Sequence, residues 1–261
     1  AMVTVGDDDW PAPIPLVRSG EKWRFDGAAG RDEVLARRIG RNELETIQVL
    51  QAMADAQVEY ARGGSGQVAY AQKFASSPGR HDGLYWPAAA GEPESPLGPL
   101  VARAAREGYA ASKLRPYRGY VFRMLKAQGP NAAGGAFDYV VKGAMISGFA
   151  IVAAPIGYGV SGVTTFMINQ DAVVYQKDLG PRTAQVVAAM KRFDPGPGWS
   201  GGWHCCAISP PTTPQPGARE RRARWRCRRS PRGRTTSPSR SPTSMTSCRR
   251  QRPVRSKLST Q

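Results

Sequence analysis

Leu44, Ile47, Leu50, Ala54, Val58 and Ala61 recur at steps of three and four, the period of a helix with one apolar stripe. Glu43, Glu45, Asp55 and Glu59 stand between them, so this helix packs on something in water and does not enter a bilayer. Asn42 followed by Glu45 has capping-box spacing, with Asn in place of the usual Ser or Thr. The pattern predicts a helix of about twenty residues from Asn42, ended by Gly63-Gly64. Arg31 to Arg38 predicts a first turn or two of helix ahead of it.

The pattern then shortens. Gln67 to Ser77 fits neither period, and "GLYWP" is a short apolar element. In "SPLGPLVARAAREGY", Ser95 has the place of an N-cap and Pro96 that of a first helical residue, with Leu100, Ala104 and Ala105 facing one way. Strands follow: "RGYVFRML", "FDYVV", "SGFAIVAAP", "GVTTFMIN" and "AVVYQKD" are rich in β-branched and aromatic residues and are parted by Gly, Pro and Asn. Gln170-Asp171 joins the last two as a hairpin. Pro181 opens a closing helix with Val186, Val187, Met190 and Phe193 as its apolar face. Helices, an antiparallel meander and a final helix make an α+β fold, a sheet covered on one face by the long helix.

Ahead of this body, "AMVTVGDDDW" begins inside an alternating strand, and Ser19-Gly20 joins two extended runs in "PIPLVRSGEKWRF". A lone hairpin is marginal in water. The expected layout is a remnant of a truncated N-terminal α+β unit at 1–26, a main domain at 27–203 and a tail at 204–261.

Charge supports the last boundary. The formal net charge is +17, but His204 to Gln261 holds 15 basic residues against Glu220 alone. Ala1 to Trp203 is left with 22 basic and 19 acidic residues, or +3. The tail has 14 Arg, 9 Ser, 8 Pro and 7 Thr, but only three residues from Ile, Leu, Val and Phe. It cannot bury enough apolar surface to offset chain entropy, which predicts disorder. Nucleic-acid binding, if any, belongs to the tail, because a nearly balanced body gives no reason for it. All four cysteines lie at 205, 206, 227 and 248, so the body has no disulfide or thiolate chemistry. No apolar run of about 18 residues predicts a transmembrane helix.

The reactive residue types do not converge. His81 sits in a turn-like "PGRHDG", and His204 has neighbouring cysteines but no paired C-x-x-C spacing. Ser161 in "GYGVSGV" is followed directly by glycine and lies between strands, which is not a nucleophile elbow. Asp7, Asp8 and Asp9 form an acidic turn that has the oxygens for a hard cation, yet reads first as a solvated turn. A carboxylate hydrolase needs two or more of Asp7, Asp9, Asp138, Asp171 and Asp178 in one cleft. Lys177 and Asp178 are adjacent on a strand and point to opposite faces. Lys113, Arg115, Tyr117, Arg118, Tyr120, Phe122 and Arg123 alternate basic with aromatic, as on a stacking surface for single strands; Tyr120, Phe122 and Met124 facing inward explains them as simply. Asp7, Asp8, Asp9, Tyr117, Tyr120, Lys177 and Asp178 are therefore candidate binding-surface residues, with no catalytic, cofactor or metal residues assigned.

Several segments in order, among them "VGDDDWPAPIPLV", "ARRIGRNELETIQVLQAMADAQVEYA", "DGLYWPAAAGEPESPLGPL", "GYVFRMLKAQGP" and "GGAFDYVVKGAMISGFAIVAAPIGYGVSGVTTFMINQDAVVYQKDLGP", together resemble the bacterial family catalogued as domain of unknown function 2950. The resemblance covers residues 3 to 196 and implies export to the cell envelope, an unknown envelope protein or cell-wall component as partner, and no activity or cofactor that carries over. Ala172 stands where Gly is expected in the hairpin, which predicts a strained or different turn. The resemblance stops near Asp194–Pro197, and the Arg/Ser/Pro/Thr composition beyond it is that expected of an out-of-frame GC-rich sequence. The order from Asn42 to Gly180 is also similar to type IV pilin and pseudopilin heads, though no hydrophobic polymerising segment precedes the long helix. The expected function is a non-catalytic envelope binding or structural module.

Overall fold

The computed structural model describes residues 3–7, 9–63, 68–89, 91–109, 116–204 and 228–229, with 202–204 and 228–229 described by backbone alone. All of these fall in one unit, Ala1–Ser230. Asp8, Lys113, Arg115, the four cysteines and the segment expected to be disordered, apart from His204, Arg228 and Arg229, lie outside the described residues.

One helix, α1 (Gly27–Gly63), replaces the two helical pieces expected. Its cap is Asp26, whose Oδ1 accepts the backbone N–H groups of Ala28 and Ala29 at 3.2 Å each, satisfying donors that a helix start leaves free. Asn42 is therefore not a cap. It lies inside α1, where its Nδ2 donates to the Ser161 carbonyl at 2.8 Å. The capping-box spacing there reflects a tertiary bond rather than a helix start. Of the expected apolar stripe, Ile47, Leu50, Ala54 and Ala61 are buried and Leu44 is 57% exposed; the buried face is wider than the stripe and takes in Thr46, Val49, Met53 and Gln57.

The main sheet has strands β1 (Tyr120–Leu125), β2 (Ala150–Pro155), β3 (Thr164–Asn169), β4 (Val173–Asp178), β5 (Ser200–His204) and β6 (Arg228–Arg229). They lie in chain order and all pairs are antiparallel. Register assigns the faces. Met124 pairs with Ile151, which pairs with Ile168; Met124 Sδ lies 3.8 Å from Gln57 Nε2 of α1. Arg123, Val152, Met167 and Tyr175 occupy the opposite face. There Arg123 donates to the Val187 and Met190 carbonyls at the end of α3 (Thr183–Ala189), a cation on the last carbonyls of a helix. The sheet is thus covered on both faces, not on one. All six residues of β2 are buried, and the strand reads AIVAAP without polar alternation, as a strand covered on both sides must. Leu50, Phe122 and Phe166 are at most 1% exposed, each contributing roughly 2 kcal/mol by burial.

The closing helix begins at Thr183 rather than Pro181, and of its expected face Val187 is buried while Val186 is 42% exposed. Phe193 lies past its end and packs edge-on against Tyr175. The β3–β4 hairpin holds Ala172 at φ 57°, with its N–H donating to the Asn169 carbonyl at 3.0 Å. The alanine takes the left-handed conformation that glycine adopts without strain. Between β1 and β2, short ladders pair 127–128 with 137–138 and 140–141 with 144–145. At the other end, Leu16–Ser19 pairs with Lys22–Phe25, and Thr4–Val5 with Trp10–Pro11. The strand β5 crosses the 203/204 composition boundary and pairs with β6. No described helix is long and apolar enough to cross a membrane.

Candidate functional site

The second helix, α2 (Gly98–Arg106), starts two residues later than Ser95 would place it as a cap, and no side chain caps it. Ser95 instead is 3% exposed, and its Oγ has no hydrogen-bond partner. An orphaned buried hydroxyl carries its desolvation cost without return. It lines an open groove of about 340 Å³ between the first turn of α2 and the segment holding Tyr85, Trp86 and Pro87, with Glu94 on the same wall.

Trp86 is fixed from two sides. His81 stacks on the indole with centroids 4.2 Å apart and planes 17° apart. The indole Nε1 donates to the Pro93 carbonyl at 3.3 Å. The loop carrying the ring is itself pinned. Asp82 accepts from Lys73 Nζ at 2.7 Å, from the Ser77 N–H at 2.7 Å and from Ser77 Oγ at 3.0 Å; the Lys73 and Ser77 hydrogen bonds hold its carboxyl well below the usual range. Tyr60 of α1 donates its hydroxyl to the His81 carbonyl at 2.9 Å, and the Leu97 N–H reaches the Leu84 carbonyl at 2.9 Å. The result is a partly exposed aromatic ring on a rigid mount.

A second polar cluster lies where β1 begins. Tyr117 and Tyr120 exchange two backbone hydrogen bonds at 3.0 Å around Arg118 (φ 52°) and Gly119 (φ 75°), the positive pair of a type I′ turn. Glycine is required at 119, since a Cβ there would meet Ser161 Cβ at 2.8 Å. Arg118 stays in the left-handed region because its guanidinium is held: Glu107 Oε1 is 2.5 Å from Nη2 and Glu45 Oε2 is 2.8 Å from Nε. The Glu45 contact brings the charges together without an aligned hydrogen bond. Tyr117 donates its hydroxyl to Glu107 Oε2 at 2.9 Å. Burial raises the Glu107 carboxyl, but the bonds from Tyr117 and Arg118 outweigh it and hold it below its usual 4.5. Beside them, Glu43 Oε1 accepts the N–H groups of Val163 and Thr164 at 2.9 Å each. These charged and polar groups meet one another or backbone N–H groups, and through Glu43 they fasten α1 to the sheet.

The residues singled out from sequence fall elsewhere. Tyr117 and Tyr120 are 1% and 0% exposed, and Tyr120 donates to the Thr164 carbonyl at 2.9 Å. Neither ring is a binding surface, because the turn folds both under α1 and burial raises the Tyr120 hydroxyl far above its usual pKa. Asp7 and Asp9 are exposed in the N-terminal turn, with Thr4 Oγ1 donating to Asp9 at 3.4 Å. Asp178 accepts from the Gly180 N–H at 2.7 Å and from Tyr158 at 3.1 Å. Lys177 reaches the Pro197 carbonyl at 3.0 Å. Asp171 is bound by Asn169 Nδ2 at 2.9 Å in its own hairpin, and Asp138 is exposed in a short strand. Ser161 Oγ exchanges hydrogen bonds with the N–H and carbonyl of Gly157 at 3.1 and 3.2 Å, closing a turn. Among the described residues no three His, Cys, Asp or Glu gather as a metal site.

Two other hollows are less specific. One of about 650 Å³ is walled by Pro11, Pro13, Pro15 and the start of α1, and its Arg37 is occupied by Glu33 and the Pro11 carbonyl at 2.7 Å each. The other, about 350 Å³, lies between Tyr60, Lys73 and Lys126, where Lys126 donates to Gln72 at 3.2 Å. The groove at Trp86 escaped sequence reasoning because Trp86, Glu94 and Ser95 come from a loop without periodicity; the Trp-Pro pair inside "GLYWP" was its one sequence signal.

The family described as Protein of unknown function (DUF2950) matches residues 1–201. No curated protein and no solved structure matches the chain.

Proposed function

The chain belongs to the DUF2950 family, and from that premise we propose that it is a non-catalytic module of the bacterial cell envelope that binds a partner protein or a cell-wall component. The observation that carries this reading is the groove beside α2. A partly exposed indole held by His81 and Pro93 lines the same groove as Ser95, a buried hydroxyl with no internal partner. Rigid aromatic groups beside a few fixed polar groups are what a binding site needs, because little side-chain entropy is lost when the ligand arrives. In the Arg118 cluster the charged groups meet one another inside the fold.

Isolated cell-wall material incubated with the purified full chain tests the proposal. The protein is expected to sediment with it, and Trp86→Ala to stay in solution while Trp23→Ala, at an exposed tryptophan of the N-terminal hairpin, still sediments. Equal sedimentation of the Trp86 variant removes the groove from the function. Envelope placement is checked separately by fractionating cells that carry the complete gene; recovery in the cytosol overturns that part.

A further inference from the structure

Resting on the binding-module reading above, we propose that the groove between Trp86 and the start of α2 takes a neutral sugar ring of an oligosaccharide. Among the described residues the groove walls hold no Lys or Arg, and Glu94 supplies a carboxylate, so a phosphate or carboxylate ligand meets repulsion from these walls. A carboxylate only accepts hydrogen bonds, so it selects a ligand that carries donors. Sugar hydroxyls both donate and accept. One hydroxyl donates to Glu94, and another pairs with the orphaned Ser95 Oγ once a rotation of that short side chain turns the buried oxygen into the groove that Ser95 lines.

Trp86 provides the apolar half of the recognition. His81 covers one face of the indole and is not part of the groove wall, whereas Trp86 is. A pyranose presents a flat array of C–H bonds that stacks on the electron-rich ring face. The indole N–H is already given to the Pro93 carbonyl. It is not free to bond a ligand carbonyl, which weighs against a proline-rich peptide, whose extended backbone needs such donors. The volume of about 340 Å³ is at the small end of the roughly 300–1,000 Å³ of ligand pockets, fitting one or two rings of a longer chain that runs out through the open side.

Titration calorimetry on the full 261-residue chain with cellotriose, maltotriose, the trimer of N-acetylglucosamine and decaproline decides the matter. At least one trisaccharide is expected to bind, with Trp86→Ala weakening it about tenfold or more and Ser95→Ala and Glu94→Gln each weakening it several-fold, as loss of one stacking or hydrogen-bonding group does. Because Glu94 is exposed, its variant keeps the test open if the Trp86 variant misfolds. Trp23→Ala should bind as the parent does. Failure of all three sugars, sugar binding unchanged by both Trp86→Ala and Glu94→Gln, or Trp86-dependent binding of decaproline alone overturns the sugar assignment. Should cell-wall sedimentation still depend on Trp86 in that event, the module reading survives its loss; should sedimentation also be absent, both fall.

Discussion

The turn at Arg118 and the groove at Trp86 are both polar, partly buried and attached to α2, yet they differ in where their hydrogen bonds end. At the turn, Arg118 meets Glu45 and Glu107, Tyr117 meets Glu107, and Glu43 meets two backbone N–H groups. The left-handed φ of Arg118 is tolerated because Glu45 of α1 and Glu107 at the end of α2 both hold its side chain. In the groove, by contrast, Ser95 has no partner and Trp86 is held in place without being buried. A closed network stabilises the fold; an open one costs stability until something binds. The contrast teaches that strain and charge alone are poor guides to function, and that an unmet hydrogen bond on a rigid wall is a better one.

The largest effect that sharpens the contrast is Arg118→Met. It leaves two carboxylates of roughly one-quarter exposure without their cation, and should cost about 2–3 kcal/mol, below the full loss at a wholly buried pair. Denaturant midpoints measure it, and ligand binding in the groove should not change. Glu43→Ala comes next, at about 1–2 kcal/mol, since it strands the Val163 and Thr164 N–H groups. An unaltered midpoint in either variant means the network does not hold α1 to the sheet.

Acid gives a third, smaller effect. The Glu107 carboxyl is depressed in the fold, so its contribution is complete above its unfolded value of 4.5 and is lost as pH falls below that. The parent should lose stability through this window, and Arg118→Met should show a shallower slope there. The acid slope from Asp82, set by Lys73 and Ser77, should persist in both. Smallest is Ser95→Ala. Removing a buried hydroxyl that bonds nothing should leave stability unchanged or raise it by up to about 1 kcal/mol, while groove binding weakens. A clear loss of stability means Ser95 has an internal partner and breaks the comparison.

Periodicity made the body of α1 legible, and β-branched and aromatic composition made β1 to β4 legible, whereas the expected strand FDYVV splits into two short, mostly exposed ladders. Periodicity misplaced the start of α1. Asn42 carries a local cap signature, but its amide bonds Ser161, 119 residues away, and no window along the chain contains that partner. Ser95 failed in the opposite sense: a good cap type in a good place caps nothing, because α2 begins at Gly98. Tyr117 and Tyr120 read as surface or core with equal ease, since alternation along a strand does not say which face will be covered.

By itself the sequence determined what local physics can determine: a helix period, strands parted by glycine and proline, a hairpin at Gln170-Asp171, and a body nearly neutral in charge beside a basic tail. Tertiary structure decided the rest. It covered the second sheet face with α3, drew Arg118 into contact with Glu45 and Glu107, and brought Trp86 and Glu94 beside a stranded Ser95. The contacts of Arg118 with Glu45 and of Arg123 with the end of α3 join groups far apart along the chain, and the groove, though local in sequence, takes its shape from the hold of α1 and α2 on its loop. The energies of such contacts exist only once the backbone has closed the loops between the partners.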